Sequence, residues 1–319
     1  MDYGKEIAKA SLDIQSINLR PEKPFTWASG YRMPIYNDNR MLLGNYEHRM
    51  LVKNGLVELI ENSGEKPEFI LGTSTAGIAP AAMVADKLNL PLVIFNEGKP
   101  YGFTNSPFKI KEEYDAIAST CPWAIPYGVN LANEKKLPFM YVRQNAKAHG
   151  MEQQIEGIPL HDKNVLLLDI YSSNDQSYGY NAKKVLNQKD MGVDTLFKKF
   201  SSFISSDINI KGKKGIVIED LISTGGSSAK EVKAARDFGA NVNYCFSIFG
   251  YGLLEAQNEF DKYAPNTIVN SVLTYPKLLE TAKEIGYLDN NQIKLLEDWR
   301  ADPFNWGEKH GFPKVEKNN

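Results

Sequence analysis

Two adjacent carboxylates, Glu219 and Asp220, follow a short apolar run and precede a stretch of hydroxyl residues and glycines. Carboxylates only accept hydrogen bonds, which suits the hydroxyl groups of a ribose. The small residues that follow can bring backbone N–H groups and hydroxyls close to a phosphate, above all where a helix begins. These small residues are Ser223, Thr224, Gly225, Gly226, Ser227 and Ser228. The segment therefore predicts a binding site for a sugar phosphate.

The elements around this site can be predicted from the same segment. Residues 216–218 are typical of a parallel strand covered on both faces, and charged residues at its carboxyl end lie where open α/β sheets bind ligands. We expect a helix from about residue 228 to residue 238, ended by Gly239. No Gly-Lys-Ser/Thr follows the glycines, which excludes a Walker A loop. The acids precede the glycines, which excludes a dinucleotide fingerprint.

Residues 141–150, with the sequence YVRQNAKAHG, carry three side chains that can donate to phosphate oxygens: Arg143, Lys147 and His149. The segment shows no apolar periodicity, so nothing in it is patterned for burial. It suits a mobile loop that closes over an anionic leaving group. A solvated surface loop with ordinary charges is the alternative.

Residues 69–91 form a second unit of strand, small-residue turn and alanine-rich helix. A turn of this kind offers a nest of backbone N–H groups to an anion at the start of a helix. Turns of this composition are also common without any ligand. The turn consists of Thr73, Ser74, Thr75, Ala76 and Gly77.

Apolar runs near residues 69–71, 92–95, 139–142, 165–169, 215–218 and 243–248 alternate with helical or loop stretches. This order predicts an α/β fold with a mainly parallel sheet. The chain has 319 residues, of which 42% are hydrophobic, enough for a sizeable core. We detect no internal repeat and no linker, and therefore expect a single domain over residues 1–319.

Composition also limits the partners. A formal net charge of -2 argues against a nucleic-acid binder, which normally carries a basic excess. Cys121 and Cys245 are too few for a disulfide framework. The sequence shows no signal peptide and no apolar run near 18 residues. We therefore expect a protein of the cytoplasm that does not enter membranes.

These segments together resemble a known family. Residues 216–228 resemble the phosphoribosyl diphosphate (PRPP) binding motif of type I phosphoribosyltransferases, and the sequence EDLISTGGSS resembles orotate phosphoribosyltransferases. Residues 141–150 resemble that family's catalytic loop. Residues 25–40 resemble the N-terminal hood of one bacterial branch. The resemblance implies a type I phosphoribosyltransferase fold with a hood over about residues 1–65.

The resemblance also implies a reaction and its residues. Orotate and PRPP would give orotidine 5'-monophosphate and pyrophosphate, with Mg²⁺ on the diphosphate and no metal site made by the protein. A homodimer would share the loop 143–150 across its interface. The implied catalytic residues are Arg143, Lys147, His149 and Asp220. The implied PRPP contacts are Thr73, Ser74, Thr75, Ala76, Gly77, Glu219, Asp220, Leu221, Ile222, Ser223, Thr224, Gly225, Gly226 and Ser227. Ser223 and Arg40 are the candidate contacts of orotate.

Some positions depart from the family pattern. Gln144 stands where many members carry a second basic residue, and Met33 and Asn37 replace a usual serine and cysteine. Ala28 stands where other branches have a lysine that touches substrate. The sequence leaves open a phosphoribosyltransferase for another nucleobase, and also a PRPP-sensing regulator that binds without turnover.

The chain is also longer than the family resemblance implies. The additional length is in two segments, about residues 96–137 and 159–210, which we expect to be peripheral insertions. In the second, Asp169 follows a strand-like run and imitates the PRPP motif. It lacks a glycine pair and a helix N-terminus directly after it, so we interpret it as part of an added structural strand.

Overall fold

Helices and strands alternate along the described part of the chain, which comprises residues 1–27, 29–103, 108, 110, 112–145, 154–158, 160–171, 177–200, 204–206 and 208–315. The structure is a computed structural model. The helices are α1 (Tyr3–Asp13), α2 (Tyr46–Ser63), α3 (Ile78–Leu88), α4 (Ile125–Lys135), α5 (Ser177–Asn187), α6 (Gly226–Asp237), α7 (Leu254–Tyr263), α8 (Tyr275–Glu284), α9 (Asn290–Ala301) and α10 (Trp306–Lys309). The strands are β1 (Ile17–Leu19), β2 (Phe25–Thr26), β3 (Arg32–Met33), β4 (Ile35–Asn37), β5 (Phe69–Gly72), β6 (Leu92–Asn96), β7 (Lys99–Phe103), β8 (Ala116–Thr120), β9 (Phe139–Val142), β10 (Ile155–Glu156), β11 (Asn164–Tyr171), β12 (Gly192–Lys199), β13 (Ile204–Ser205), β14 (Lys214–Ile222), β15 (Asn241–Gly250) and β16 (Ile268–Thr274). Within these ranges, every helix is too short or too polar to span a membrane.

The strands form two large sheets. The first has the order β13–β7–β6–β5–β14–β15–β16, and the second has the order β10–β9–β8–β11–β12. In the first sheet, only β7 and β13 run antiparallel to their described neighbours. In the second sheet, β10 is antiparallel to β9 and the other pairs are parallel. The expected α/β class with mainly parallel pairing is confirmed, but the strands are divided between two sheets.

Strand β14 lies in the interior of the first sheet and is covered on both faces. Ile216, Val217 and Ile218 are all 0% exposed. Ile216 and Ile218 belong to the core on one face of the sheet, whereas Val217 packs with Val232 and Ala235 of α6 on the other. An unbroken apolar run is required because both faces of the strand are buried.

The N-terminal segment, for which a hood is predicted, forms two small antiparallel strand pairs, and the C-terminal helices pack against it. In the hood, β1 pairs with β4 and β2 pairs with β3, both antiparallel. Trp299 of α9 donates from Nε1 to the sulfur of Met33 at 3.0 Å. The rings of Tyr31 and Phe304 meet edge to face, with centroids 5.1 Å apart. The C-terminal segment therefore fixes the position of the hood.

The two segments that the sequence analysis treats as insertions meet in the second sheet. The first contributes β8 and α4, and the second contributes β11, α5 and β12. β8 and β11 pair directly, with Ile117 opposite Leu166. Ala118 of β8, Leu167 of β11 and Leu186 of α5 lie in one buried cluster. The two segments therefore share one core, and their peripheral role stays a prediction.

A buried arginine joins the hood to helix α4. Arg49 of α2 is 0% exposed. Its Nε donates to Asn133 Oδ1 at 2.7 Å, Nη1 to the Leu43 carbonyl at 2.5 Å and Nη2 to the Leu137 carbonyl at 2.6 Å. Burial lowers the pKa of Arg49 to about 10, which leaves the guanidinium charged at neutral pH. Three acceptors from separate segments therefore depend on one side chain.

Candidate active site

The adjacent carboxylates Glu219 and Asp220 lie near the carboxyl end of β14. This strand continues to Ile222, further than the sequence predicts, because β15 pairs with it beyond the end of β5. Glu219 is 5% exposed and accepts hydrogen bonds from Ser228 Oγ at 3.0 Å and from the Asp220 N–H at 2.9 Å. Asp220 is half-buried. Glu219 therefore ties β14 to α6, and Asp220 is the carboxylate more open to a ligand.

Burial raises the pKa of both carboxyl groups. The pKa of Glu219 lies well above its usual value because the group is buried, and the neighbouring charge of Asp220 raises it further. Burial also raises the pKa of Asp220, while the charge of Arg40 opposes that rise. Two acids that share a confined space favour hydroxyl donors or a cation beside them.

The turn from β14 into α6 presents a helix N-terminus that no side chain in the described residues caps. The helix begins at Gly226, earlier than the sequence predicts. Gly225 at the N-cap has φ 76°, and a Cβ there would lie 3.0 Å from Ala256 Cα. Only glycine fits this position. The N–H groups of the first turn of α6 are thus available to an anion.

The second turn, residues 73–77, lies beside the first. Thr73 is buried, and it donates to the Ile218 carbonyl from its N–H at 3.1 Å and from Oγ1 at 3.3 Å. A Cβ at position 77 would lie 2.1 Å from Thr73 Oγ1, so the close approach requires Gly77. Helix α3 begins at Ile78, again with no cap from a described side chain. Two turns that lead into uncapped helix N-termini therefore adjoin each other at the ends of β5 and β14.

A series of ion pairs connects the end of β9 with the hood. Arg143 Nη1 lies 3.3 Å from Glu156 Oε1, and Arg40 Nη1 lies 2.6 Å from the same oxygen. Arg40 also donates to both oxygens of Asp38, from Nε at 2.5 Å and from Nη2 at 2.7 Å. Its guanidinium is therefore shared between two carboxylates. Arg40 can bind the carboxylate of a base, as predicted, by exchanging one of these partners.

Several residues of the site escaped the sequence analysis. The Asn39 side-chain amide donates to the Asp220 carbonyl at 2.7 Å and so fixes the hood to β14. Tyr141 of β9 is buried near Glu156, Arg40 and Asp220. Asn39 adjoins Arg40 in the hood segment PIYNDNR, so the hood resemblance was a usable signal. Nothing local to Glu156 indicates its partners.

The structure describes the two ends of the basic loop and not its middle. The Arg143 N–H donates to the Gln154 carbonyl at 2.8 Å, which closes the base of the loop. Lys147 and His149 lie outside the described residues, and their roles stay predictions. Gln144, which replaces a basic residue of the family pattern, is exposed.

Asp169 lies at the end of β11 in the second sheet. It is 1% exposed and accepts a hydrogen bond from Thr120 Oγ1 at 2.5 Å. Burial raises its pKa. Helix α5 begins at Ser177, eight residues along the chain from this acid.

The side chains that commonly bind metal ions are dispersed over the part of the chain that the structure describes. There, no three or more histidine, cysteine, aspartate or glutamate side chains are grouped so that they could hold a metal ion. Asp220 remains a single half-buried carboxylate beside the two turns. A cation that arrives with a polyphosphate substrate can meet it there.

Glu231, a half-buried glutamate on α6, should make the stability of the protein depend on pH. Burial raises the pKa of Glu231 to about 7, so between its ordinary value and about 7 the folded state holds a proton that the unfolded state has lost. Stability therefore falls as the pH rises through this window. We expect the melting temperature of the parent to fall more between about pH 5 and about pH 8 than that of Glu231→Gln. Glu58→Gln, at an exposed position, is the control and should follow the parent. An equal slope for parent and Glu231→Gln would contradict the assignment.

Two bacterial proteins are similar to this chain over nearly its whole length. The chain is 31% identical over 306 residues to an orotate phosphoribosyltransferase of Streptococcus agalactiae, covering 96% of this chain and 99% of that protein. It is 33% identical over 296 residues to an orotate phosphoribosyltransferase of Staphylococcus saprophyticus, covering 93% of this chain and 97% of that protein. No profile of a known protein family matches the chain.

A solved structure gives the same fold. Leishmania donovani UMP synthase is 14% identical, with a TM-score of 0.52 over 93% of this chain and 42% of that chain. This likeness concerns the fold alone. The two bacterial relatives, which match nearly end to end, carry the family assignment. This chain belongs to the orotate phosphoribosyltransferase family.

Proposed function

We propose that this protein transfers the 5-phosphoribosyl group from PRPP to orotate, which gives orotidine 5'-monophosphate and pyrophosphate in the synthesis of UMP. The observation that carries the proposal is the unit of β14, glycine turn and uncapped α6, in a chain of this family. In the reaction, the bond from ribose C1 to the pyrophosphate oxygen breaks and a bond from C1 to N1 of orotate forms. The proton of N1 is lost.

The ribose and its phosphate are assigned to β14 and the turn after it. Asp220, with Glu219 behind it, accepts hydrogen bonds from the ribose hydroxyls. The 5'-phosphate binds residues 221–227, where backbone N–H groups at the start of α6 face the ligand. Their role is to hold C1 in place while charge develops on it.

The leaving pyrophosphate is assigned to residues 73–77 and the basic loop. The N–H groups at the start of α3 donate hydrogen bonds to its oxygens in the same way. Arg143, Lys147 and His149 donate hydrogen bonds to the leaving group as negative charge builds on its oxygens. Stabilisation of this kind is usually the largest single contribution to catalysis. Arg143 can do so by turning from Glu156 toward the ligand.

Orotate is assigned to Ser223 and Arg40. Ser223 is half-buried at the start of the phosphate turn. Arg40 reaches the orotate carboxylate if it gives up Glu156, while the two hydrogen bonds to Asp38 hold its guanidinium in place. A carboxylate on the base would then replace a carboxylate of the protein.

Mg²⁺ is the expected cofactor, held chiefly by oxygens of PRPP and by water, as this ion prefers. The half-buried Asp220 carboxylate supplies an oxygen of the right type beside the two turns. When bound, the ion neutralises charge on the diphosphate. The protein residues position the sugar around it.

Location and assembly complete the proposal. Cys121 and Cys245 are both unpaired thiols, in keeping with a reducing cytoplasm. Family resemblance suggests a homodimer in which the loop 143–150 serves a site across an interface. That interface can lie between two chains or between two parts of one chain.

The proposed reaction is tested with a panel of bases. Purified protein with PRPP and Mg²⁺ is expected to release pyrophosphate with orotate and not with uracil, adenine or hypoxanthine. Omission of either PRPP or Mg²⁺ should abolish consumption of orotate, because the metal and the diphosphate bind together.

The same panel separates the alternatives. Pyrophosphate release with a purine and not with orotate would assign the enzyme to another base. PRPP binding in calorimetry without turnover of any base would favour a regulator. Asp220→Ala is the control that should remove PRPP binding itself.

A further inference from the structure

The two large sheets have the same topology. In the first, β7–β6–β5–β14–β15 are neighbours in that order, and in the second, β10–β9–β8–β11–β12 are. In both sets, the strand at the start of this order, β7 or β10, is antiparallel to its neighbour, and the other pairs are parallel. Helices α3 and α6 make the corresponding connections in the first sheet, and α4 and α5 make them in the second. We call these five strands with their two helices the first unit and the second unit.

Local structure repeats as well as topology. Helices α3 and α4 each have 11 residues and end at a left-handed residue, Asn89 with φ 53° and Lys136 with φ 56°. Leu-Pro follows in both cases and leads into the next strand. The N–H of Leu90 donates to Ala85 and that of Leu137 donates to Ala132, both at 2.9 Å.

The hydrogen bonds at the start of the two central strands are also the same in both units. These strands are β5 and β14 in the first unit and β8 and β11 in the second. The Glu68 N–H donates to the Lys214 carbonyl at 2.8 Å, and the Asp115 N–H donates to the Asn164 carbonyl at 2.8 Å. In return, the Lys214 N–H donates to the Glu68 carboxylate and the Asn164 N–H donates to the Asp115 carboxylate, both at 2.9 Å. In each unit, the acidic residue directly before β5 or β8 thus makes the same two hydrogen bonds with the first residue of β14 or β11. Such detail is expected of two copies of one ancestral unit.

The units pack through equivalent elements, since α3 lies against α4. Contact between the same element of two copies is what a two-fold axis produces in a homodimer. Thr75 in the turn of the first unit lies beside Cys121 in the turn of the second. The arrangement within one chain is therefore that of a two-fold dimer.

Each unit has what the other lacks. In the first, β6 and β7 are joined by a tight turn at Glu97 and Gly98, with φ 49° and 74°. In the second, β9 and β10 are separated by the basic segment that begins at Arg143. Conversely, Asp169 of the second unit stands where the first has Glu219, but no glycine pair follows it in the sequence.

We infer that this chain contains a phosphoribosyltransferase unit and a degenerate second copy of it, inserted between β7 and β14, which together form one reaction site. The first unit supplies the PRPP-binding strand, turns and helices, and the second supplies the basic residues that begin at Arg143. The inference rests on the proposed function. The second unit then takes the place that the neighbouring subunit has in a homodimer.

Contacts at the junction of the units support the shared site. Glu156 of the second unit binds Arg40 of the hood at 2.6 Å, and the neighbouring Asn39 holds the Asp220 carbonyl at 2.7 Å. Arg143 joins the same series through Glu156. Three side chains, those of Glu156, Arg40 and Asn39, therefore link Arg143 to the backbone of the PRPP motif.

The test is a mixing experiment. Lys147 belongs to the second unit by its place between β9 and β10, and Asp220 belongs to the first. Lys147→Ala and Asp220→Ala preparations, each nearly inactive, are unfolded and refolded together in equal amounts, with refolded parent as the reference. If one chain makes the whole site, activity should stay at the mean of the two variants. Recovery to about a quarter of the parent value, which random pairing across a two-fold interface gives, would overturn the inference.

A binding measurement separates failure of the inference from failure of the proposed function. Calorimetry with PRPP and Mg²⁺ is expected to find one site per chain, removed by Glu219→Gln and unchanged by the matched Asp169→Asn. Two sites per chain, or loss of binding in Asp169→Asn with its melting temperature intact, would overturn the inference. One site per chain without orotate turnover would reject the proposed reaction and leave the single-site architecture in place.

Discussion

Replacement of Lys147 by alanine is expected to lower the turnover of orotate about a hundredfold or more, because loss of one donor to a developing charge typically costs that much. The interaction strengthens as the bond to pyrophosphate breaks, so the loss should fall on kcat more than on PRPP affinity. Steady-state kinetics with orotate and PRPP measure both. The melting temperature should stay that of the parent.

Two variants control this measurement. Lys163→Ala removes an exposed lysine of the second unit away from the proposed site and should leave turnover unchanged. Gln144→Lys restores the basic residue of the family pattern and should not restore the activity of Lys147→Ala. Kinetics of Lys147→Ala equal to those of the parent would show that the basic segment has no catalytic role.

The second large effect is on stability. Arg49→Met is expected to lower the free energy of unfolding by about 3 kcal/mol, because the buried Leu43 carbonyl and the half-buried acceptors on Asn133 and Leu137 lose their donor. An unpaired buried group costs about 1–3 kcal/mol. Relief of a buried charge offsets part of that sum. Urea denaturation followed by fluorescence gives the free energy and its slope.

An exposed arginine provides the control. Arg20 lies over the ring of Phe25 at 5.1 Å, a contact worth about 0.5–1 kcal/mol at a surface. Arg20→Met should therefore lose less than about 1 kcal/mol. If Arg49→Met lost no more than Arg20→Met, the buried hydrogen bonds of Arg49 would not stabilise the junction between the hood and α4.

The PRPP segment was predictable because its signals are local. Ile216 and Ile218 are buried next to the acids they precede, and Gly225 adopts the positive φ that its residue type indicates. The boundaries differ because pairing decides them: β15 extends β14 to Ile222, and α6 starts at Gly226. Neither depends on the residues of the segment alone.

The second unit was not predictable in the same way. An apolar run such as residues 165–168 shows that a strand is buried, but not which sheet it joins. The ion pair of Arg40 with Glu156 joins residues 116 positions apart, so only the folded chain brings them together. The repeat escaped notice because the turn after Thr120 has no glycine and the acid Asp169 has no glycine pair after it.

The continuity of the chain through β7, the second sheet and β14 has a further consequence. The second unit is tethered to the first at both ends, so the effective concentration of Arg143 near Asp220 is set by the connecting segments and not by the amount of protein in solution. A homodimer that shares its loop loses activity when it dissociates on dilution. This chain should keep the same activity per molecule from micromolar to nanomolar concentration.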